Sequence, residues 1–334
     1  MTSTSPLLDI RDLRVNFKVY GGELKVLDGV NITVKRGEKV GLVGETGCGK
    51  TTSMKAIQRI LPMPPGKIMG GQSLFNGKDT LKMGAGALRK VRGTGISMIF
   101  QDPTAALNPV FTIGQQIGAV VQHTTFGGNA SKAEIHAASL KALQEVSLAD
   151  PERLLKSYPI QLSGGMRQRV CIAMALATQP ELLVADEPGT SLDVTIQDQI
   201  LRLLRQLVEE RDTSVIMITH TLGVVREMTD RVYVMYAGAI VESAPTKELF
   251  EKPLFPYTMG LMQAVPRLSG GGVAEGIPGR IPDYLDPPRG CRFHPRCPHA
   301  MDICCKEKPP VFEVEPGRHV ACFLYKDSKE LVAA

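Results

Sequence analysis

Hydrophobic and polar residues alternate through two stretches of residues 8–36, LDIRDLRVNF and VLDGVNITV. Because successive side chains of a strand point to opposite faces of a sheet, this alternation predicts strands with one buried face. Gly21 and Gly22 lie between the two stretches, where a tight turn would reverse the chain. We therefore expect an antiparallel sheet in this part of the protein.

From Lys39 the pattern changes to a short apolar run, KVGLVG, followed by a glycine-rich loop and the segment TTSMKAIQRIL. Met54, Ile57 and Leu61 in this segment would share one face of a helix, which Pro62 would end. The pattern predicts a strand, a loop and a helix in succession.

Continuous apolar runs return at ELLVAD and SVIMITH. Such runs are typical of strands that are buried on both faces of a parallel sheet. The stretch IQDQILRLLRQLVEE between them predicts a crossover helix, and RVYVMYAGAIVES predicts a hairpin that turns at Ala237 and Gly238.

Residues 105–160 are rich in helix formers, and SKAEIHAASLKALQEV predicts an amphipathic helix. Ser131, followed three residues later by Glu134, fits a capping box at the start of this helix. Residues 266–290 contain eleven Pro or Gly among 25, which is too many for a packed element. This composition predicts a linker or an arm laid along the protein.

Composition narrows the class of protein. The 334 residues, 43% of them hydrophobic, suffice for a large α/β domain with a small appendix. A net charge of +5 from interspersed charges, and aromatic residues at 5% without Trp, argue against a dedicated nucleic-acid binder. Asp9, Arg11 and Asp12 interrupt any signal-peptide pattern, and no uncharged run is apolar enough to span a membrane. We expect a cytosolic protein, in which clustered cysteines indicate a metal more than disulfides.

The glycine-rich loop at residues 44–51, GETGCGKT, fits the pattern G-x-x-x-x-G-K-[ST]. Glycines let backbone N–H groups converge on a polyphosphate, and the helix N-terminus behind them adds a positive dipole. Lys50 would contact the β and γ phosphates, and Thr51 would offer a hydroxyl to Mg²⁺. The same dipole is expected to lower the pKa of Cys48 and make its thiol reactive. The expected nucleotide-binding residues of this loop are Gly44, Glu45, Thr46, Gly47, Cys48, Gly49, Lys50, Thr51 and Thr52.

Two further motifs follow the loop. Asp186, at the end of ELLVAD, could hold Mg²⁺ through water, and Glu187 beside it could polarise an attacking water. An Asp-Glu pair also serves as a helix cap or a solvated edge, but its place about 135 residues after a phosphate loop favours the catalytic role. In LSGGMRQR, the residues Ser163, Gly164 and Gly165 form either a second anion cradle or a plain helix cap.

These three motifs, in this order and spacing, resemble the ATP-binding-cassette (ABC) ATPases over residues 8 to about 260. The resemblance implies an α/β P-loop NTPase with a mixed core sheet, an antiparallel β subdomain and a helical subdomain at about 102–180. It also implies that two cassettes meet head to tail, with each ATP held between the phosphate loop of one and the LSGG motif of the other.

The resemblance assigns roles to further residues. Gln101, in MIFQDP, would bind Mg²⁺ and sense the membrane subunit, and His220 would reach the γ-phosphate. Together with Glu187, these two residues form the expected catalytic set. Ser191 begins the expected dimer-interface loop, SLD. Tyr20, with Phe17 as the alternative, would stack on adenine.

The end of the chain resembles a narrower group. KPLFPYTMGLMQAVPRL, the Pro/Gly-rich arm and GCRFHPRCPHAMDIC look like the C-terminal extension of oligopeptide and dipeptide importer ATPases. Residues 1–260 would then form the nucleotide-binding domain, 261–290 the arm, and 291–334 a small, irregular, cysteine-rich domain that binds a metal.

This narrower resemblance implies an ATPase subunit that powers import of peptides, or of nickel, opines or sugar oligomers. Its partners would be two membrane-spanning permease subunits, an extracytoplasmic substrate-binding protein and a second, different ABC ATPase, but no nucleic acid. The chain would lie at the cytoplasmic face of the inner membrane. The alternative is a non-transport ABC ATPase with an iron–sulfur cluster that acts on nucleic acid or ribosomes.

Five of the seven cysteines lie in the last 44 residues, and none forms the C-x-x-C pair that is common in zinc sites. Four thiolates on irregular loops could hold a [4Fe–4S] cluster, which this tail is associated with in the importer family. Zinc, with His294 and His299 as further ligands, and a disulfide or free thiols remain alternatives, and Cys305 competes with its neighbour for one position. The expected cluster ligands are Cys291, Cys297, Cys304 and Cys322.

Overall fold

The computed structural model describes residues 5–125, 127–190, 192–264 and 276–331. The chain divides into two compact units. The first unit combines residues up to 35, residues 39–81 and residues from 219 onward, and the second combines residues 36–38 and 82–218.

The strands of the described residues are β1 (Leu8–Val19), β2 (Gly22–Val34), β3 (Lys39–Val43), β4 (Gly66–Phe75), β5 (Lys78–Asp79), β6 (Ile96–Ile99), β7 (Leu182–Asp186), β8 (Ser214–Ile218), β9 (Arg231–Tyr236), β10 (Ala239–Pro245), β11 (Val311–Glu315), β12 (Arg318–Val320) and β13 (Lys329–Leu331). The α-helices are α1 (Lys50–Ile57), α2 (Ala85–Lys90), α3 (Pro103–Ala106), α4 (Ile113–Thr124), α5 (Lys132–Glu145), α6 (Pro151–Lys156), α7 (Gly164–Leu176), α8 (Val194–Glu210), α9 (Leu222–Met228), α10 (Thr246–Glu251), α11 (Pro256–Gln263) and α12 (Asp302–Lys306).

The first unit contains the predicted antiparallel sheet, in the order β2-β1-β4-β5. Val19 pairs with Gly22, so the β1–β2 hairpin turns where the two glycines predicted it. A second set of strands runs β13-β11-β12-β10-β9-β3, in which only the β3–β9 pair is parallel. The predicted β9–β10 hairpin is confirmed, and Ala237 and Gly238 turn it with φ of 43° and 83°.

The second unit contains three parallel strands in the order β8-β7-β6. Every residue of β7 and β8 is buried, as their continuous apolar runs predicted. Helix α8 connects these two strands and buries the apolar stripe that includes Ile200, Leu204 and Val208. Helices α3 to α7 lie within residues 103–176, and the Ser131 capping box at the start of α5 is confirmed.

Helix α1 is shorter than its apolar spacing predicted. Met54 and Ile57 are fully buried on one face, but the helix ends at Ile57. Arg59 has a left-handed backbone with φ of 52°, which ends a helix without needing proline. Leu61 is buried beyond the helix rather than on it.

The cysteine-rich tail does not stand apart as a separate irregular domain. Strand β12 pairs with β10 through Val320 and His319 and so extends the sheet of the first unit. Phe293 is buried against the rings of Tyr236 and Tyr257, at centroid distances of 5.0 and 5.6 Å. The expected small irregular domain is therefore not confirmed, because these residues share a core with β9 and α11.

Within the described ranges, no helix has both the length and the apolar character that crossing a membrane requires.

Candidate active site

The predicted phosphate loop lies between β3 and α1 in the first unit. Gly49 caps the helix with φ of 108°, and a Cβ atom there would press on Leu27. At Gly44, a Cβ atom would overlap the carbonyl oxygen of Met235. Only glycine fits these two positions, and it lets the loop turn tightly.

Lys50 places a positive charge inside the loop. Its Nζ donates to the carbonyl oxygens of Gly44 at 2.7 Å and Glu45 at 3.0 Å, and the residue is buried. Thr51 and Thr52 follow at the start of α1 and are half-buried. The loop, the helix N-terminus and the ammonium group together are suited to a polyphosphate.

The prediction of a reactive thiol at Cys48 is wrong. The side chain is 0% exposed, and burial raises the pKa of the Cys48 thiol although Lys50 opposes the shift. A helix dipole activates a thiol that water can reach, whereas this one packs inside the loop against Gly44.

Three side chains that sequence reasoning missed hold the loop from outside. The N–H of Glu45 donates to the hydroxyl of Tyr257 at 2.8 Å, and the hydroxyl of Tyr284 donates to the carbonyl of Gly47 at 2.9 Å. Arg296 forms an ion pair with the Glu45 carboxylate at 2.9 Å. No local pattern indicated these contacts, since each joins residues more than 200 positions apart.

Asp186 and Glu187 lie at the end of β7 in the second unit, with 2% and 9% of their surfaces exposed. The Nε2 of Gln101 donates to a carboxylate oxygen of Glu187 at 3.0 Å. Glu187 also has a left-handed backbone, with φ of 47°, and donates its N–H to the carbonyl of Ile218. Strained backbone of this kind clusters at functional sites. The structure thus brings together two residues of the expected catalytic set.

The LSGG motif begins α7, where Ser163 is the N-cap. Its Oγ accepts a hydrogen bond from the N–H of Met166 at 3.3 Å, as the sequence predicted. A Cβ atom at Gly164 would lie 3.1 Å from the side chain of Leu192, just before α8, and one at Gly165 would lie 2.9 Å from Ile196 in α8. The glycines therefore allow close packing on one side while Ser163 and Gly164 stay exposed on the other.

The remaining residues of the expected nucleotide site and dimer interface are Tyr20, with Phe17 as its alternative, His220 and Ser191. Tyr20 is fully exposed at the tip of the β1–β2 hairpin, whereas Phe17 is half-buried. His220 is exposed just beyond β8. Ser191, of the expected dimer-interface loop, lies outside the described residues.

The expected cluster ligands line one cavity. Cys291, Cys297, Cys304 and Cys322 share it with His294 and His299, whereas Cys305 is exposed and does not contribute. Burial raises the pKa of Cys291 to about 11 and that of Cys322 to about 12. All seven cysteines are free thiols. Within the described part of the chain, no group of three or more His, Cys, Asp or Glu is arranged to hold a metal ion.

Comparison with known proteins adds the family. The sequence profile of ABC transporters matches residues 27–190, and that of the oligopeptide/dipeptide transporter C-terminal region matches residues 241–304. A probable peptide ABC transporter ATP-binding protein of Sinorhizobium fredii is 49% identical over 95% of this chain and 94% of its own. The oligopeptide transport ATP-binding protein of Bacillus subtilis is 45% identical over 97% of this chain and 90% of its own.

Solved structures agree. A dimeric ATP-binding cassette in a post-hydrolysis state with ADP and phosphate superposes with a TM-score of 0.64 and 28% identity, over 72% of this chain and 98% of its own. The fold class that the family resemblance implied, an α/β cassette with an antiparallel sheet and a mixed sheet, is therefore confirmed. The chain therefore belongs to the ABC transporter ATP-binding proteins, in the group with the oligopeptide/dipeptide transporter C-terminal region.

Proposed function

We propose that this chain hydrolyses ATP to drive the import of peptides through a membrane transporter. The observation that carries the proposal is the match to the oligopeptide/dipeptide C-terminal region, since the phosphate loop alone fits any ABC ATPase. Relatives over nearly the whole chain are named as peptide, oligopeptide and dipeptide transport ATP-binding proteins.

Each candidate residue has a chemical task in this reaction. Lys50 and the loop N–H groups would bind the phosphates, and Tyr20 would stack on adenine. Glu187 would accept the proton of the attacking water, and His220 would contact the γ-phosphate. Bound Mg²⁺ would neutralise phosphate charge, and the residues that would hold it are Thr51, Gln101 and, through water, Asp186.

A second cassette would complete each site. Ser163, Gly164 and Gly165 form an exposed helix N-terminus that suits the γ-phosphate of an ATP bound to the partner. The similar solved cassette is dimeric, which supports this arrangement. We propose that the partner is a different ABC ATPase, and that the pair joins two permease subunits at the cytoplasmic face of the inner membrane, with a substrate-binding protein outside.

The proposed domain division gives each part a task. Residues 1–260 would bind and hydrolyse nucleotide, with about 102–180 as the helical subdomain. Residues 261–290 would form the arm, of which 261–264 and 276–290 are described. Tyr284 of the arm contacts Gly47 of the phosphate loop and Lys25 of β2. Residues 291–334 would form the metal-binding extension.

The function is tested in a reconstituted transporter that contains this chain, a second cassette, both permeases and the binding protein. We expect ATP hydrolysis to rise several-fold when the binding protein carries a di- or oligopeptide. Stimulation by nickel, an opine or a sugar oligomer instead would change the substrate class. Stimulation by DNA, RNA or ribosomes without the permeases would support the non-transport alternative.

We also propose that Cys291, Cys297, Cys304 and Cys322 hold a [4Fe–4S] cluster. All four thiols line one cavity, so they are close neighbours. Ligands of a cube bind separate iron atoms, so they need not converge on one ion as zinc ligands do.

The adjacent cysteines of α12 provide a matched test of the cluster. Protein purified without oxygen is expected to be brown, to absorb at about 400 nm and to contain iron. Cys304→Ser should lose both signals because Cys304 lines the cavity, whereas Cys305→Ser should keep them because Cys305 is exposed. Purified protein that contains zinc instead of iron, or that contains neither metal, would contradict the cluster.

A further inference from the structure

The phosphate loop contains an acidic residue, although its expected ligand is a polyphosphate. Glu45 is the second residue of the motif, and its carboxylate side chain is 28% exposed. A carboxylate beside bound phosphates repels them, and the repulsion is strong where the surroundings are partly desolvated. The same carboxylate could also pair with Lys50, whose Nζ already lies 3.0 Å from the Glu45 carbonyl oxygen.

Arg296, from the C-terminal extension, removes both problems by pairing with this carboxylate. Its Nη1 donates to Oε2 of Glu45 at 2.9 Å, and its Nη2 donates to Oε1 at 3.1 Å. This is the two-pronged geometry in which guanidinium and carboxylate bind most strongly. The pair turns the carboxylate toward the extension and balances its charge.

The position of Arg296 is itself fixed. The other donors of the guanidinium reach the carbonyls of Pro278 at 2.9 Å and Ile277 at 3.0 Å, and the hydroxyl of Tyr236 at 3.4 Å. All five N–H groups thus have acceptors, and the side chain is only 6% exposed. The guanidinium also lies over the ring of Tyr236, 5.7 Å from its centroid. A lysine could not make these contacts, because it lacks the planar fork.

We propose that Arg296 is a positioning residue for ATP binding: it neutralises Glu45 and keeps this carboxylate away from Lys50 and the phosphates. This inference rests on the proposed ATPase function. The N–H of Glu45 is held by Tyr257 at the same time, so Glu45 is fixed through both its backbone and its side chain. The extension thereby sets the charge that ATP meets in a loop about 250 residues earlier in the chain.

The test measures MgATP affinity by calorimetry on the whole chain. Arg296→Ala is expected to raise the dissociation constant about tenfold, because the Glu45 charge is left unpaired. Adding Glu45→Gln removes that charge, and the double variant should recover most of the lost affinity. In the assembled transporter, Arg296→Ala should raise KM for ATP with little change in kcat.

Lys308→Ala is the matched control for a loosened extension. Lys308 also anchors the extension to the rest of the first unit, through Asp28 at 3.0 Å, but it contacts no residue of the phosphate loop. Its MgATP affinity should equal that of the unmodified chain. A merely structural role for Arg296 would lower the melting temperature of Arg296→Ala and would not be rescued by Glu45→Gln.

Three results would overturn the inference: unchanged affinity in Arg296→Ala, failure of the double variant to recover, or an equal loss in Lys308→Ala. If Arg296→Ala does not fold, Arg296→Lys replaces it. Its MgATP affinity is expected to fall about threefold, because lysine keeps the charge but lacks the planar fork. Unchanged affinity in Arg296→Lys would count against the inference. Failure of the unmodified chain to bind MgATP would instead contradict the proposed function.

Discussion

Glu187→Gln is expected to slow ATP hydrolysis by about 10²- to 10⁴-fold, which is the range that a general base contributes. Glutamine has the same shape, and its amide oxygen can still accept the 3.0 Å hydrogen bond from Gln101. What it cannot do is take a proton from the attacking water. The change therefore removes the chemistry and preserves the geometry around it.

ATP binding should persist in this variant, so the nucleotide should keep the two cassettes together. ATP closes the pair only through contacts that exist in the closed state, and those contacts last as long as the γ-phosphate remains. Phosphate release by the reconstituted transporter measures the first effect, and size-exclusion chromatography with MgATP measures the second.

Glu181→Gln is the matched control for this experiment. Glu181 immediately precedes β7, whereas Glu187 follows this strand. The carboxylate of Glu181 forms an exposed ion pair with Arg36. Exposed pairs contribute little to stability, so hydrolysis in the control should stay near that of the unmodified chain. Turnover in Glu187→Gln that matches the control would show that another group is the base.

Local sequence patterns predicted the elements that carry this chemistry. The glycine spacing indicated the loop before α1, and Ser163 indicated the start of α7, because each signal lies within a few residues of the structure that it forms. The continuous apolar runs indicated parallel strands for a similar reason, since burial on both faces leaves no room for alternation. The family resemblance placed Gln101 and Glu187 in one catalytic set, but neither it nor any local pattern predicted the hydrogen bond between them.

Contacts between distant segments were not predictable in this way. Arg296 gave no sign of pairing with Glu45, because an arginine near the chain end has no periodicity that relates it to a loop near the beginning. The prediction for the Cys48 thiol was wrong for a related reason. The helix dipole is a local effect, whereas burial of the thiol depends on packing by residues that are distant in the sequence. Cys304 and Cys305 are neighbours in sequence, and only the packing of α12 distinguishes the buried thiol from the exposed one.

Lys50→Ala is expected to weaken MgATP binding by at least about 100-fold. Lys50 carries the ammonium inside the loop, and its Nζ lies where the carbonyls of Gly44 and Glu45 can direct it. A hydrogen bond to a charged group contributes about 1.5–3 kcal/mol, so losing two to phosphate corresponds to about 10²- to 10⁴-fold in affinity. Calorimetry on the whole chain measures this loss directly.

Lys55→Ala is the control on the same helix, because Lys55 lies in the last turn of α1 rather than in the loop. A ligand that binds only the folded state raises the melting temperature of the protein. MgATP should therefore stabilise the unmodified chain and Lys55→Ala alike. Lys50→Ala should melt at the same temperature with and without MgATP. An undiminished ATP-dependent shift in Lys50→Ala would mean that the loop N–H groups and the helix dipole bind the phosphates without this ammonium, and the role assigned to Lys50 would be wrong.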